Sequence, residues 1–327
     1  MILAIETSCD DTCAALVTRE GEIAASVISS QEAHNRFGGV VPEVAARDHI
    51  ELLDPVIDEA FARAGGASLD DVELVAATRG PGLVGALLVG FQAAKAIAAA
   101  RELPFAPVDH LAGHVAAARL APARFEPPFV ALVASGGHTL LLAVREHGAE
   151  PEILARTLDD AAGEAFDKGA RMLGLGYPGG AALERLAAGG DDHSYDFPSG
   201  RGEDFSFAGL KTALLYRTRE VDATDERVRA DLAASYQRAI VEALVRRAAR
   251  ALERTGLRRL ALGGGVAANG ALRGRLEELG VELFLPPLAL CTDNAAMIAA
   301  AALEVEPIAY PGYLELDVYA TGEGPLR

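Results

Sequence analysis

The sequence predicts an α/β protein built from two duplicated lobes. With 327 residues, half of them hydrophobic, the chain can fill two packed cores rather than one. It opens on strand, turn, strand (ILAIETSCDDTCAALVT), and the pattern returns near mid-chain as FVALVASGGHTLLLAV. Elsewhere, apolar strands run through glycine turns into helical patterns, as in RRLALGGGVAANGALRGRL.

ILAIETS reads as a first strand and CAALVT as a second, in a tight hairpin with Asp10, Asp11 and Thr12 at its tip. EIAASVISS is a third strand. The loop NRFGGVVPEVAARDHI enters a long helix in which Ile50, Leu53, Val56, Ile57, Ala60 and Phe61 recur at helical spacing, and Gly65-Gly66 ends it. VELVAATRGPG is a strand entering a turn. The longest apolar stretch, 83–100, contains Gln92, Lys95 and several glycines, so it reads as a helix buried against a sheet rather than a membrane span. LPFAPVD is another short strand, and the Pro-rich RLAPARFEPP reads as a crossing between lobes.

After the second strand–turn–strand unit come a helix at DDAAGEAFDKGARMLG, a turn at LGYPGG, a charged loop at AAGGDDHSYDFPSGRGED and the motif FSFAGLKTALL. An amphipathic helix spans about 227–254, with Leu232, Tyr236, Ile240, Leu244, Ala248 and Leu252 on one face. VELFLPP is a strand, and CTDNAAMIAAAAL a closing helix capped by Thr292 or Asp293.

Thirty basic and 47 acidic residues give a net charge of −17, which argues against gripping nucleic acid by bulk charge. Local contacts or a basic partner stay open. The best local candidate is the helix face of Arg246, Arg247, Arg250 and Arg254, though that face reads first as a solvated one balanced by nearby acids. Three cysteines, Cys9, Cys13 and Cys291, are too few for a disulfide framework or a Cys-rich zinc site, and fit a reducing compartment. The start MILAIETSCDD has no basic n-region and no signal-like cleavage site, so a cytoplasmic protein with no membrane association is expected.

His110 and His114 in PVDHLAGHVAA are the sharpest chemical signal. If Asp109 caps a helix there, both imidazoles lie on one face about one turn apart, as a divalent metal requires. Leu111 follows His110, so the glutamate base of an HExxH protease is missing. Asp293 in CTDN is the candidate third ligand, unless it serves only as a helix cap. Two histidines and one carboxylate form a facial set suited to Fe(II), with Zn(II) also admissible.

Glycine loops point to a nucleotide. Ser135, Gly136 and Gly137 can turn amides toward phosphate, and the GGG turn brings backbone close to a ligand beside Asn269, which can bond a ribose or base. It is not GxGxxG, so no dinucleotide fingerprint is present. His138 reads either as a site residue or as a strand residue. Asp167 can bind a ribose hydroxyl or an amino group, or be a surface acid, and Gly179 and Gly180 form a turn able to pass a base or ribose. A metal beside a nucleotide narrows the chemistry to transfer or hydrolysis.

ILAIETSCDDT, GGVVPEVAARDH, GPGLVGALLVG, DHLAGH, SGGHT, DDAAGEAFDK, YPGG, FSFAGLKT, GGGVAAN and CTDNAAMIA, in this order over residues 1 to about 303, resemble the TsaD/Kae/Gcp family. The resemblance implies the actin/Hsp70/sugar-kinase fold, two duplicated lobes with a nucleotide cleft: 1–118 as the N-terminal lobe, closed by a C-terminal helix, 293–327, and 119–292 as the C-terminal lobe. It also implies transfer of a threonylcarbamoyl group from threonylcarbamoyl-AMP to N6 of the adenosine 3′ of the anticodon, position 37, in tRNAs reading codons that begin with A. AMP is released. By motif, His110, His114 and Asp293 would hold the metal. Val133, Ala134, Ser135, Gly136, Gly137, Asp167, Gly180 and Asn269 would hold the acyl-adenylate. TsaB- and TsaE-type partners are implied, with the donor made by a TsaC-type enzyme. Glu6, Asp10 and Asp11 are candidates for a general base, none of them assigned. Two departures stand out: Ala208 where Ser is common, and a tail, AYPGYLELDVYATGEGPLR, without the usual PRWPL-like ending. The competing readings are a metallopeptidase, the sense of the family's older name, and a non-catalytic Hsp70-type nucleotide-binding scaffold.

Overall fold

In a computed structural model, which describes residues 1–198, 200, 202–320 and 326, the chain divides into two compact units. The first comprises Met1–Glu126 and Asp293–Arg327, the second Pro127–Thr292.

The first unit is built on a sheet of β1 (Ile2–Glu6), β2 (Asp11–Val17), β3 (Ile23–Ser30), β4 (Leu74–Gly80) and β5 (Phe105–Asp109), in the order β3-β2-β1-β4-β5. The first three strands are antiparallel neighbours, and β4 and β5 add in parallel. The parallel steps run through helices, α1 (Pro42–Arg63) and α2 (Val84–Ala100), as parallel pairing requires. β1 is buried throughout, and Leu3, Ile5, Val75 and Ala77 pack with Phe91 of α2 and Phe105. Asp11 and Thr12 open β2 rather than forming the hairpin tip, because Thr12 Oγ1 turns inward to His49 Nδ1 at 2.7 Å. Ile50 also departs from the expected apolar stripe of α1 and is 67% exposed, while Leu53, Val56 and Ala60 are buried.

The second unit repeats this plan. Its strands are β6 (Phe129–Ala134), β7 (Thr139–Val144), β8 (Glu152–Arg156), β9 (Arg259–Gly263) and β10 (Glu282–Phe284). Read from β8, the order is β8-β7-β6-β9-β10, again two antiparallel pairings followed by two parallel ones. The repeated hairpins in the sequence therefore open two sheets of the same topology. The helices of this unit are α4 (Ala162–Met172), α5 (Gly179–Ala187), α6 (Ala208–Glu220), α7 (Glu226–Thr255) and α8 (Gly270–Glu277). All six residues expected on the apolar face of α7 are buried. The sequence reading did not separate β8 or α5 as elements.

Three expectations need correction. Residues 119–126 belong to the first unit, because Leu120 and Phe125 are buried and Ala121 N donates to Gly21 O at 3.0 Å. The C-terminal helix does not span 293–327; α9 covers only Ala295–Ala302. After it the described residues of the tail run without a helix along the first unit. Ile308 pairs with the edge of β5, Tyr313 packs on Phe105, and Lys95 Nζ donates to the carbonyls of Leu314 and Leu316, both at 2.8 Å. Residues 321–325 and 327 of the atypical tail, and Ser199 and Arg201 of the charged loop, lie outside the described residues. Finally, the cap of α9 is neither Thr292 nor Asp293 but Asn294, whose side chain accepts from Met297 N at 2.9 Å.

Candidate functional site

β5 delivers the chain to Asp109, whose Oδ1 accepts from Leu111 N at 2.9 Å and Ala112 N at 3.1 Å. This cap begins α3 (His110–Ala116) one residue later. His110 then occupies the first helical position and His114 the next turn, with ring centroids 4.8 Å apart. Both are buried. α3 packs on α9, Gly113 facing Met297 and Ile298, which brings the residue just before α9 to the histidines.

That residue is Asp293. Because Asn294 caps the helix, the Asp293 carboxylate is available to turn toward α3. Its Oδ1 lies 3.6 Å from His110 Nε2 and 3.4 Å from His114 Nε2. Two ligand atoms each roughly 2.1 Å from one ion stand about 3–3.5 Å apart, so both contacts are close to the spacing of ligands on a shared cation. The three ligand atoms lie within 4.8 Å of one another. His114 supplies a second sign: it is buried, yet neither ring nitrogen has a hydrogen-bond partner. Leaving such atoms unpaired is costly, and an ion on Nε2 would remove that cost for one of them. The donor set therefore fits a divalent metal.

Behind His110 stands Glu6, at the end of β1 and fully buried. Its Oε2 lies 3.0 Å from His110 Nδ1 and accepts from Thr78 Oγ1 at 2.5 Å, and its Oε1 accepts from Ser8 N. Ser8 Oγ is also within 3.2 Å of Nδ1. A carboxylate there fixes the proton on Nδ1 and leaves Nε2 for Asp293 and a cation. Burial alone would lower the His110 imidazole; Asp293 and then Glu6 outweigh it and hold it at about 9. Burial alone would raise the Glu6 carboxyl, but the adjacent His110 outweighs burial and keeps it ionised, below the usual carboxylate value. Glu6 thus orients His110 rather than standing as an open base. Asp11 differs. Burial, with repulsion from Asp293 and Asp10, pushes its carboxyl up to about 7 despite a 2.5 Å hydrogen bond from Ser30 Oγ.

In the second unit, Val133 and Ala134 end β6 as buried strand residues. Ser135 follows, its hydroxyl accepting from His138 N at 3.1 Å and its carbonyl accepting from Gly163 N at 3.0 Å. This ties the turn to the start of α4. Gly136 and Gly137 are exposed, with open space where a Cβ would stand. The GGG turn lies against the same strand end. Gly264 has φ +88°, and a Cβ there would collide with the Ala134 carbonyl, so only glycine fits. Asp167 Oδ1 accepts from Gly179 N at 2.8 Å and Gly180 N at 3.2 Å, shaping the YPGG turn. Asn269 does not present a free side chain: Oδ1 caps α8 by accepting from Leu272 N at 2.9 Å, and Nδ2 donates to Gln237 Oε1 at 2.9 Å.

The arginine face of α7 is divided: Arg247 is buried, whereas Arg250 and Arg254 are exposed and Arg254 is balanced by an acid, as a solvated face would be. Arg246 and Arg247 donate to the Gly200 carbonyl, Arg247 also to Asp204 O at 2.7 Å, and Arg250 to Gly202 O, while Arg254 pairs with Glu203. The cluster clasps Gly200, Gly202, Glu203 and Asp204 of the charged loop. Sequence reading placed Glu6 in the first hairpin but missed its bond to His110, and missed Ser8 and Thr78 altogether. The one available signal was an acid closing an otherwise apolar strand.

Comparison with known proteins adds independent information. The TsaD family, tRNA N6-adenosine threonylcarbamoyltransferase, matches residues 22–300. A relative named tRNA N6-adenosine threonylcarbamoyltransferase from Anaeromyxobacter sp. (strain Fw109-5) is 53% identical over 310 residues, covering 92% of each chain. A relative of the same name from Symbiobacterium thermophilum is 51% identical over 309 residues, covering 92% of this chain and 90% of its own. Among solved structures, component A of the (R)-2-hydroxyglutaryl-CoA dehydratase of Acidaminococcus fermentans superposes with a TM-score of 0.57 at 19% identity, covering 96% of this chain and 99% of that one. HypF of T. kodakarensis gives a TM-score of 0.62 at 15% identity, covering 92% and 47%. At these identities the structural likeness is one of fold.

Proposed function

The chain belongs to the TsaD family of tRNA N6-adenosine threonylcarbamoyltransferases, and from that premise we propose how its residues serve the reaction. The enzyme is an acyltransferase that forms threonylcarbamoyladenosine in tRNA. The donor is threonylcarbamoyl-AMP and the acceptor is adenosine 37 of tRNAs reading ANN codons. The adenosine N6 attacks the carbamoyl carbon, a C–N bond forms, the C–O bond to phosphate breaks, and AMP leaves as one N6 proton is lost.

His110, His114 and Asp293 hold one divalent metal, Fe(II) best suited and Zn(II) an alternative. When bound, that ion supplies Lewis acidity to the donor's carbonyl oxygens. Glu6 holds His110 in the tautomer that ligates. In the second unit, the open amides at Gly136 and Gly137 and the turn at Gly180 receive the adenylate, with Ser135 fixing the first turn and Asp167 the second. Such fixed donors favour negative charge gathering on the leaving phosphate without reorganising. Asn269 contributes by shaping the start of α8, since both ends of its amide are engaged. Because adenosine N6 is a weak nucleophile, positioning carries much of the acceleration.

TsaB- and TsaE-type proteins are the partners, and they compensate for the net charge of −17 in recruiting tRNA. Among the described residues no helix is long and apolar enough to cross a membrane, and the reaction belongs with tRNA in the cytoplasm.

The observation that carries the metal reading is buried His114, without hydrogen bonds, 3.4 Å from Asp293. The test is to incubate purified protein with partners, tRNA, threonine, bicarbonate and ATP, then to analyse nucleosides by mass. Threonylcarbamoyladenosine should form with wild type and be lost with His114→Ala. Its absence with wild type and active partners would sink the assignment.

A further inference from the structure

The carboxy-terminal tail reaches the helix that carries both histidines. Tyr319 donates its hydroxyl to Asp109 Oδ2 at 2.5 Å. The other oxygen of the same carboxylate is the acceptor for Leu111 N and Ala112 N. One carboxylate therefore joins the tail to the first turn of α3, and a rotation that loses one contact disturbs the others.

The tail is itself held at this point. Tyr319 N donates to Arg79 O at 3.1 Å, and Arg79 Nε donates to Asp317 O at 2.7 Å. The Arg79 guanidinium lies over the tyrosine ring, 5.8 Å from its centroid. At Gly80, φ is +154°, and a Cβ there would stand 2.6 Å from the ring, so the end of β4 admits this ring only because glycine is present. Burial, and then the Asp109 carboxylate, push the phenol well above its usual range, so it remains a donor.

Resting on the metal centre of the proposed function, we propose that Tyr319 is a positioning residue for that centre, acting through Asp109. α3 has only seven residues, too few to be stable through its own hydrogen bonds, so the first turn depends on its cap. His110 is the first residue of that turn. Pinning Asp109 fixes the direction of the His110 Cα–Cβ bond, and thereby the approach of Nε2 to Asp293. This contact is made by the segment that departs from the family's usual ending, so the tail of this chain takes part in the metal centre of its own unit.

The test uses Co²⁺ as the probe, titrated into metal-free full-length protein and followed by its visible d–d bands. Tyr319→Phe keeps the ring against Gly80 and Arg79 and removes only the hydroxyl. Asp109→Ser keeps a capping oxygen but removes the atom that Tyr319 holds. Changes behind a metal ligand commonly weaken binding ten- to a hundredfold. With one more residue intervening, Tyr319→Phe is expected to raise the Co²⁺ Kd about three- to tenfold and to shift the bands. The double variant should bind no more weakly than Asp109→Ser alone. A wild-type Kd and spectrum in Tyr319→Phe, or effects that multiply in the double variant, would overturn the role while leaving the metal centre intact. A wild type that takes up no Co²⁺ would overturn the centre and this role together.

Discussion

Glu6 Oε2 and His110 Nδ1 lie 3.0 Å apart, on the side of the imidazole away from Asp293. One strand-end carboxylate thus decides which nitrogen of a helix residue faces the candidate cation. Glu6→Gln keeps the size of the side chain but weakens its hold on the Nδ1 proton. We expect divalent-metal affinity to fall ten- to a hundredfold, with the far-ultraviolet circular dichroism unchanged. Calorimetric titration of metal-free protein with Zn²⁺ checks this, and an unchanged Kd would contradict it.

Asp293 and Asn294 are neighbours with different tasks, and their variants should separate. Asp293→Ala should abolish stoichiometric metal uptake and turnover while the protein stays folded, because the cap of α9 belongs to the next residue. Asn294→Ala should cost about 1 kcal/mol of stability through loss of that cap. Metal analysis and urea unfolding of both variants decide the matter. Retained metal in Asp293→Ala would exclude it as a ligand.

The Asp11 carboxyl titrates at about 7 in the folded protein, against an ordinary value of 3.8. Between these values the folded state holds a proton that the unfolded state has released, so this group's contribution favours folding below about 3.8 and is lost as pH rises through 7. Asp11→Asn removes that dependence. In metal-free protein its stability relative to wild type should therefore improve steadily from pH 4 to pH 8. Parallel denaturant curves at both pH values test the sign, and a gain confined to the acid end would refute it.

Asp167→Ala should free the amides of Gly179 and Gly180 and loosen the YPGG turn. Hydrogen bonds to a charged acceptor contribute about 1.5–3 kcal/mol each. We expect AMP to bind roughly ten- to a hundredfold more weakly, with Asp167→Asn intermediate because an acceptor oxygen remains. Calorimetry with AMP reads this, and equal affinity across all three proteins would remove Asp167 from the nucleotide site.

The two strand–turn–strand units were legible because apolar runs broken by glycine or acidic turns report strands locally, and both proved to open sheets of one topology. The His110/His114 spacing was legible because four residues make one helical turn wherever a helix forms. Less was legible where neighbours compete for one role. Thr292, Asp293 and Asn294 are all good caps, and the packing of α9 on α3 settles which one is used. Ile50 fits an apolar stripe by spacing yet lies exposed, since spacing gives the angle of a side chain about its helix and not what covers it. Arg247 of α7 reads as a surface residue because its acceptors, carbonyls some 45 residues away, leave no trace in local pattern.

The sequence by itself determined the class of fold, the order of its elements, the family and the residue types able to ligate a metal. Tertiary structure alone decided that Glu6, His110, Asp109, Asp293 and Tyr319 form one connected set. The physical reason is range. Propensity, capping and periodicity act over a few residues and are written in short windows, whereas a hydrogen bond between residues 109 and 319 exists only after strands, helices and tail have packed and fixed the distance between them.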